Sequence, residues 1–270
     1  MASSTPDTFL EVAVAAARKA ASIHLERLGK THEIAFKGDI DLVTEVDRLA
    51  EASILKTLAE EFPDHAIVAE ESGESLTGSE YCWYIDPLDG TTNYAHAFPF
   101  FAVSIGLARN GRMEVGVVYA AALNELFTAV RGQGARLNGQ PIHVSQVARL
   151  NDALLASGFP PSVRKELTNL PEFVAFLRRG QAVRRPGAAS LDLAYQACGR
   201  LDGFWEFGLA PWDVAAGSLL IEEAGGRVSG IRTDAFSLTG REILTSNGLI
   251  HEEMRQLLLS PPRLHLDPLS

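Results

Sequence analysis

The sequence predicts a fold of the α+β class, mixed in helix and strand, built in two halves. Apolar residues recur at helical spacing over 7–28 and again over 47–61. A strand-rich stretch follows, and it contains Asn110-Gly111 between two apolar runs, a strong hairpin signal. From residue 188 onward, helical and strand-like segments alternate. These patterns indicate helices followed by an antiparallel-rich sheet, and then a second unit of different organisation.

The individual elements follow from the same periodicities. Strand-like runs of the first half occupy 65–72, 81–85, 101–108, 113–121 and 125–132. Helical spacing in the second half occupies 188–199, 212–224 and 249–259, and strand-like runs occupy 203–207 and 242–247. A boundary is expected near 140–155, which predicts an N-terminal half over 1–145 and a C-terminal half over 146–260. The tail over 261–270 is expected to be disordered or loosely packed.

Composition limits the classes of protein to which the chain can belong. Hydrophobic residues make up 46% of the 270 residues, enough for a substantial core. The net charge of −10 argues against broad contact with nucleic acid or an anionic membrane, because both need a basic surface. The two cysteines, Cys82 and Cys198, form no disulfide framework, and no signal peptide or membrane-spanning run is evident. We therefore expect a cytoplasmic protein.

Acidic residues cluster where predicted strands and helices end. The candidates are Asp47, Glu70-Glu71, Asp86 with Asp89, and Asp213. A single acid in such a position is most often a solvated loop residue. Asp86 and Asp89 are more informative, because of the residues that surround them.

The segment from Asp86 to Asn93 carries the strongest signal. Pro87 fixes its own backbone and restricts Asp86 to extended geometry, so a rigid turn can aim both aspartates at one point. Gly90 permits unusual backbone angles and a close approach by a ligand. Thr91-Thr92-Asn93 can then open a helix or tight turn whose free N–H groups suit phosphate.

The ligand chemistry favours magnesium or manganese. Carboxylate oxygens are hard ligands that suit Mg²⁺ or Mn²⁺. None of the seven histidines has HxxxH spacing or a neighbouring cysteine, so zinc has little support. No GxSxG elbow and no Cys–His pairing is present, so the sequence offers no sign of a serine or cysteine nucleophile.

Several segments of the sequence resemble those of a known family. The segments Trp83–Asn93 and Trp212–Gly217, the latter continuing to Glu223-Ala-Gly-Gly226, resemble the two signatures of the inositol monophosphatases. Lys37 with Asp41–Asp47, and Glu70-Glu71-Ser72, match in order and spacing, and the resemblance covers about residues 8–258. Asn124–Gly134 and Leu191–Tyr195 are similar to the bacterial inositol-1-monophosphatase branch.

The resemblance implies a fold, an activity and an assembly. The fold would be a five-layer αβαβα sandwich, and the protein would be a homodimer. The activity would be that of a Mg²⁺-dependent, Li⁺-sensitive phosphoric monoester hydrolase that acts on a small phosphorylated polyol such as inositol monophosphate, with two or three metal ions.

The resemblance also implies roles for individual residues. Glu70, Asp86 and the Leu88 carbonyl would hold a first metal, Asp86, Asp89 and Asp213 a second, and Glu71 would help to retain a further ion. Glu70 and Thr91 would position the attacking water, with Asp47 accepting a hydrogen bond from Thr91. Gly90 and Thr91 would bind phosphate through backbone N–H groups. Substrate hydroxyls would contact Arg184, Gly187, Ala188 and Glu206.

Several alternatives remain open on sequence grounds. Ala188 stands where relatives often carry Ser or Thr, which leaves the substrate open among inositol monophosphate, 3′-phosphoadenosine 5′-phosphate, fructose 1,6-bisphosphate, histidinol phosphate and NADP. Asp39–Val43 resembles the DxDxV motif of haloacid-dehalogenase-type phosphatases, although Lys37-Gly38 precedes it instead of a buried strand. A third alternative is an interaction protein built on a phosphatase scaffold.

Overall fold

The computed structural model describes residues 5–30, 34–36, 42–75, 78–160 and 163–261, with the backbone alone for 34–36, 42–44 and 164–165. Within these residues the helices are α1 Pro6–Arg27, α2 Glu45–Glu61, α3 Thr91–Ala95, α4 Val163–Glu166, α5 Leu170–Leu177, α6 Ala189–Ala197, α7 Pro211–Glu223 and α8 His251–Leu259. Two short 3₁₀ helices span Ala121–Leu123 and Leu150–Asp152.

The strands of the described residues form three sheets. They are β1 Ile34–Phe36, β2 Leu42–Thr44, β3 Ala66–Ala69, β4 Gly73–Ser75, β5 Tyr81–Asp89, β6 Ala102–Arg109, β7 Arg112–Ala120, β8 Glu125–Val130, β9 Gly134–Leu137, β10 Gln140–Ile142, β11 Leu154–Ser157, β12 Ala182–Arg184, β13 Gly203–Phe207, β14 Arg227–Ser229 and β15 Glu242–Ser246. β1 and β2 pair as a separate antiparallel ribbon.

The helix α1 begins where the sequence supplies a cap and ends close to the predicted limit. Thr5 precedes it, and its hydroxyl accepts a hydrogen bond from the amide of Thr8 at 3.4 Å. Pro6 occupies the first turn, where its missing N–H costs nothing. A stripe of buried alanines lets α1 lie close to both α2 and the sheet strands β6 and β7.

The large sheet has the order β10-β9-β8-β7-β6-β5-β3-β4. Its neighbours are antiparallel except for β3 and β5, which run parallel. The predicted hairpin at Asn110-Gly111 is confirmed, with positive φ at both residues. The parallel pair matters for the site, because it places the carboxyl ends of β3 and β5 side by side.

The second sheet has the order β12-β11-β13-β15-β14. Its strands β13 and β15 were predicted, whereas β11, β12 and β14 were not. These three strands have only three or four residues each, too few for a periodicity to be read. β11 runs parallel to both of its neighbours, and the remaining pairs of this sheet are antiparallel.

Helices and sheets stack in five layers, as the resemblance implied. α1 and α2 cover the outer face of the large sheet, and α6 and α7 lie between the two sheets. α5 and α8 cover the far side of the second sheet. One apolar cluster of the central layer joins both halves, since it includes Phe127 of β8, Leu219 of α7 and Phe204 of β13. The predicted αβαβα architecture is therefore confirmed.

The two predicted halves correspond to separate sheets but share a core. The large sheet uses residues 66–142 and the second uses residues 154–246, so the division at 145/146 stays a prediction about independent units. The predicted tail lies, except for Pro261, outside the described residues. Both cysteines are free thiols. No helix of the described residues is long and apolar enough to cross a bilayer.

The buried His251 makes the fold sensitive to acid. Its Nε2 lies 2.9 Å from the Ser229 hydroxyl and its Nδ1 lies 2.9 Å from the Ser246 hydroxyl. Burial lowers the pKa of His251 from 6.5 to about 4. The unfolded chain therefore binds a proton that the folded chain excludes, and this contribution to stability is lost as the pH falls from 6.5 to 4.

We expect His251→Gln to remove this component of the acid response. The free energy of unfolding, measured by urea denaturation from pH 7 to 4.5, should fall more steeply for the wild-type protein than for the variant, by about 1.4 kcal/mol per pH unit within the window. Identical slopes for the two proteins would mean that His251 titrates normally in the fold.

Candidate active site

The site is built around an irregularity in β5. The sequence predicted a strand that ends at Ile85, but the strand continues to Asp89. Its register against β6 pairs Asp86 with Ser104 and Asp89 with Ala102, so β5 carries one extra residue between these two pairs. A bulge of this kind re-aims side chains, and here it contains Pro87, which cannot donate to a ladder.

Asp86 is buried, with 2% of its surface exposed. Its Oδ1 accepts a hydrogen bond from the amide of Leu88 at 2.9 Å, which closes the turn on itself. Burial raises the pKa of Asp86 well above its usual value, and the charges of Glu70, Asp89 and Asp213 raise it further. The carboxylate therefore faces three other acids.

Glu70 reaches this position because β3 and β5 are parallel. Ala69 pairs with Ile85, and the amide of Glu70 donates to the Ile85 carbonyl at 3.2 Å. The residues that follow the two strands are consequently neighbours. Glu71 is held from α2, because its amide donates to a carboxylate oxygen of Glu51 at 2.8 Å.

Asp89 is held by the first turn of α6. Its Oδ2 accepts hydrogen bonds from the Ser190 amide at 2.7 Å and the Ser190 hydroxyl at 2.5 Å. Burial raises the pKa of Asp89, and its hydrogen bonds to Ser190 and to the neighbouring amides of the helix oppose that rise. The N-terminus of α6 thus stabilises a carboxylate that burial destabilises.

Asp213 comes from the first turn of α7. Its Oδ2 accepts a hydrogen bond from the amide of Ala210 at 2.7 Å, and Pro211 starts the helix. Burial raises the pKa of Asp213 well above its usual value, and the negative charge of Asp89 raises it further. The second half of the chain therefore contributes one acid to a group otherwise supplied by the first half.

The carboxylates face one another without converging on one point. Among the described residues, no three His, Cys, Asp or Glu side chains lie close enough to hold one ion as they stand. Asp86, Asp89 and Asp213 each have one oxygen in a hydrogen bond to a backbone amide. The donor set nevertheless fits a hard divalent cation. Burial raises the pKa of all three aspartates, neighbouring carboxylates raise it further at Asp86 and Asp213, and a cation would relieve both effects.

Thr91 lies at the start of α3 in the position the sequence predicted. Its hydroxyl lies 3.0 Å from Oδ1 of Asp47 and 3.0 Å from the Leu88 carbonyl. Gly90 precedes it with φ of 90°, and a Cβ there would lie 3.0 Å from the Phe100 carbonyl. The glycine is therefore required by both its backbone angle and its surroundings.

A cavity of about 320 Å³ adjoins these residues. Its lining includes Asp89, Gly90, Thr91, Gly187, Ala188, Glu206 and Asp213, all of them predicted site residues. Glu206 is buried. Its burial, and to a smaller extent the negative charge of Asp213, raise its pKa to about 8. Gly158 lies against it, since a Cβ at Gly158 would stand 2.2 Å from the Glu206 carboxylate.

Arg184, predicted to contact substrate hydroxyls, is not among the residues that line the cavity. It ends the edge strand β12, and the cavity is lined instead by Arg185. Consecutive residues of an extended chain point in opposite directions, so a shift of one position changes which arginine side chain faces the cavity. Asn93 holds this segment over the cavity, because its side-chain amide donates to the Pro186 carbonyl at 2.9 Å.

Comparison with known proteins shows the family of the chain. A model of the inositol monophosphatase family matches residues 5–261. The chain belongs to the inositol monophosphatase family. An inositol-1-monophosphatase from Synechocystis sp. is 47% identical over 259 residues, which cover 95% of this chain and 90% of the relative.

Two further proteins are similar to the chain. The Nus factor SuhB of Escherichia coli (strain K12) is 49% identical over 224 residues, covering 82% of this chain and 84% of the relative. The solved structure of an inositol monophosphatase from Anabaena (Nostoc) sp. PCC 7120 superimposes with a TM-score of 0.87 at 43% identity, covering 95% and 97% of the two chains.

Four residues in or near the candidate active site were not predicted from the sequence. Phe159 and Arg185 line the cavity, and Ser190 binds Asp89. Asp192 is buried, and its Oδ1 lacks a hydrogen bond among the described residues. Burial raises the pKa of Asp192 well above its usual value, and Glu206 and Asp89 raise it further. Only the start of the predicted helix near 188 could have indicated Ser190, since helix N-termini bind carboxylates.

Some predicted features lie wholly or partly outside the described residues. They are Lys37 and Asp41, which the resemblance singled out, and the DxDxV-like segment over 39–43. A second cavity, of about 410 Å³, is lined by residues such as Tyr84, Arg112 and Phe236 and contains none of the predicted site residues.

Ser190→Ala tests the hydrogen bonds that hold Asp89. The change removes the hydroxyl and keeps the amide, so we expect the free energy of unfolding at pH 7 in EDTA to fall by about 1–2 kcal/mol. Ser237→Ala is the matched control, because that hydroxyl is exposed, and it should change stability by less than about 0.5 kcal/mol. Equal urea midpoints for both variants would contradict the assigned role of Ser190.

Proposed function

We propose that this chain is a Mg²⁺-dependent phosphatase that hydrolyses inositol monophosphate. One observation carries the proposal: four acids from three separate elements face one another at the edge of a small cavity. Such a group destabilises the folded chain by mutual repulsion, so its presence argues for a bound cation. Membership of a phosphatase family and the name of the Synechocystis relative support the reaction.

Two or three ions fit the donors, with Mn²⁺ an acceptable substitute. In the proposed assignment Glu70, Asp86 and the Leu88 carbonyl hold a first ion, and Asp86, Asp89 and Asp213 hold a second. Glu71 would help to retain a third. When bound, the ions supply charge neutralisation for the phosphoryl oxygens, activation of water and stabilisation of the leaving alkoxide.

The chain itself orients the water and the phosphate. The Thr91 hydroxyl has one proton, and donation to Asp47 leaves its lone pairs free to accept a hydrogen bond from water. The Glu70 carboxylate would accept the other proton of that water. Amide groups of Gly90 and Thr91 precede the first hydrogen-bonded turn of α3 and would bind the phosphate. Because α3 has only five residues, these N–H groups act locally, with little help from a helix dipole.

The cavity has room for a small polyol phosphate. Its volume is about 320 Å³, and its polar lining suits a six-carbon ring with one phosphate. Glu206 would bind hydroxyl groups, alongside Gly187 and Ala188, and Arg185 takes the place proposed for Arg184. The methyl group of Ala188 offers no hydrogen bond, so the polar contacts that define the polyol fall to Glu206 and Arg185.

A substrate panel with Mg²⁺ tests the proposed substrate. We expect kcat/KM to be highest for inositol monophosphate among that compound, 3′-phosphoadenosine 5′-phosphate, fructose 1,6-bisphosphate, histidinol phosphate and NADP. EDTA should abolish turnover and Li⁺ should inhibit it. Full activity in excess EDTA would refute the metal mechanism, whereas a higher kcat/KM for another phosphate would refute only the substrate.

Glu70→Gln and Asp213→Asn should separate orientation of water from metal binding. Glu70→Gln loses the charge that favours a hydroxide-like water, so kcat should fall at least ~10²-fold and added Mg²⁺ should not restore it. Asp213→Asn weakens one metal position, so raised Mg²⁺ should recover part of the rate. The measurement is kcat for both variants as a function of Mg²⁺ concentration. Recovery of Glu70→Gln activity by added Mg²⁺ would show that Glu70 binds metal but does not orient the water.

A partner role is the second candidate function. Its support is the name of the E. coli relative, a Nus factor, at 49% identity. Such a role can coexist with catalysis, because every acid proposed as a ligand is present in this chain. Direct contact with nucleic acid stays disfavoured by the net charge of −10.

We also propose a homodimer. Phe98 is 53% exposed in the loop that follows α3, close to the segment that covers the cavity, and a large apolar side chain there suits an interface. Light scattering at micromolar concentration should give twice the chain mass of 29.2 kDa. A single species at the mass of one chain would contradict this assembly.

A further inference from the structure

One wall of the cavity is formed where β11 ends. β11 and β13 run parallel, and Ser157 pairs with Trp205 at the end of their ladder. The next pair in the same register would be Gly158 with Glu206, so these two residues present their side-chain positions on one face of the sheet. A Cβ at Gly158 would accordingly stand 2.2 Å from the Glu206 carboxylate. Gly158 and the following residue, Phe159, both line the cavity.

Asn169 holds this end of β11 with both polar atoms of its side chain. Its Nδ2 donates hydrogen bonds to the Ser157 hydroxyl at 2.8 Å and to the Gly158 carbonyl at 2.5 Å. Its Oδ1 accepts a hydrogen bond from the indole N–H of Trp205 at 2.6 Å. The Ser157 hydroxyl donates in turn to the Trp205 carbonyl at 2.7 Å, which closes a ring of hydrogen bonds between the two strands. The end of β11 is thus tied to the residue that precedes Glu206.

Asn169 lies on the face of the second sheet that is turned away from the cavity. Trp205 and Glu206 are consecutive residues of β13, so their side chains point to opposite faces, and Asn169 contacts the Trp205 ring. Asn169 is buried, with 2% of its surface exposed, and it is not among the residues that line the cavity. An effect of Asn169 on a substrate must therefore pass through Gly158 and its neighbours.

The backbone of Asn169 supports the same wall from a second direction. Asn169 precedes α5 with φ of 70°, in the left-handed region that asparagine adopts more readily than most residues. Its carbonyl accepts a hydrogen bond from the amide of Phe173 at 2.9 Å, and the Phe173 ring packs against Phe159 with centroids 5.2 Å apart. One residue therefore supports two successive residues of the wall, Gly158 and Phe159.

We propose that Asn169 is a positioning residue that fixes Gly158 and Phe159 beside Glu206 and so sets the affinity of the site for the hydroxyl-bearing part of its substrate. The inference rests on the proposed function, in which Glu206 binds the hydroxyl groups of a polyol. It adds to that function a side chain on the far face of the sheet, outside the lining of the cavity.

A purely structural role and a positioning role predict different kinetics. Loss of a buried hydrogen-bond network lowers stability in either case. If the network only stabilises the fold, the folded fraction of a variant binds substrate normally and KM does not change. If the network positions the wall, the folded variant binds the polyol more weakly, whereas binding of phosphate at Gly90 and Thr91 is unaffected.

The test is steady-state kinetics of Asn169→Ala with inositol monophosphate and Mg²⁺, with inorganic phosphate as the inhibitor and thermal unfolding measured alongside. We expect KM to rise about 10-fold or more, because a displacement of about 1 Å in a positioning group has effects of this order. Both kcat and the inhibition constant of phosphate should stay within about threefold of the wild type, since the groups proposed for hydrolysis and phosphate binding lie on other elements.

Asn247→Ala is the matched control. Asn247 is also buried, and its Nδ2 also donates to a serine hydroxyl, that of Ser145 at 3.0 Å, and to a carbonyl, that of Val147 at 2.8 Å. None of these three residues lines the cavity. The variant should therefore lose stability much as Asn169→Ala does and keep the KM of the wild type.

Ser157→Ala is a milder change to the same network. It removes one link of the ring and leaves the hydrogen bond from Asn169 to the Gly158 carbonyl. KM should rise by a smaller factor than in Asn169→Ala. Should Asn169→Ala fail to fold, Ser157→Ala decides the inference, and a KM equal to that of the wild type would overturn it.

The outcomes separate the inference from the proposed function. A wild-type protein that does not hydrolyse inositol monophosphate would overturn the proposed function and this inference with it. Turnover by the wild type together with an unchanged KM in folded Asn169→Ala would overturn the inference alone. An equal rise of KM in Asn247→Ala, or a rise in the inhibition constant of phosphate as large as that in KM, would also overturn it.

Discussion

The structure depends on one unfavourable interaction, the mutual repulsion of carboxylates held in a poorly solvated space. Asp86 faces Glu70, Asp89 and Asp213, and burial raises the pKa of every aspartate in this group. The unfolded chain does not have this unfavourable free energy, so other interactions in the fold must offset it. It does so with backbone amides, one or more for each aspartate, and each comes from a turn or a helix N-terminus.

This constraint explains why both sheets are needed. The parallel pair β3 and β5 brings Glu70 beside Asp86, and the bulge in β5 turns Asp89 toward the central layer. The two helices of that layer then begin at the site, α6 against Asp89 and α7 with Asp213. Neither half of the chain supplies the complete acidic group, and the apolar cluster shared by both halves fixes their relation.

The sequence predicted those parts of the site that are encoded locally. Asp86 to Asn93 could be interpreted because proline, glycine and paired threonines constrain one short segment, and the structure contains the expected hydrogen bond between Thr91 and Asp47. The continuation of β5 to Asp89 was not predictable, because a bulge is defined by the register of the partner strand. Ser190 was not predictable for a similar reason, since its importance arises from its hydrogen bonds to Asp89, 101 residues away in the sequence.

The choice of Arg184 and the omission of β11 and β12 share a physical origin. Strands of three or four residues are too short for an alternation to reveal them, and without the strand the direction of each side chain is unknown. A one-residue shift then exchanges the face occupied by Arg184 for that of Arg185. A role known for a family residue can be assigned to a residue of this chain only where the alignment of the two sequences is correct to the single residue.

The most direct test of the account is a crystal structure with Mn²⁺ and phosphate, using anomalous scattering to locate the metal. The account predicts anomalous peaks within ligand distance of Asp86, flanked by Glu70 on one side and by Asp89 and Asp213 on the other, with phosphate against the amides of Gly90 and Thr91. Acids that remain apart with no peak between them, or manganese bound only elsewhere, would contradict it.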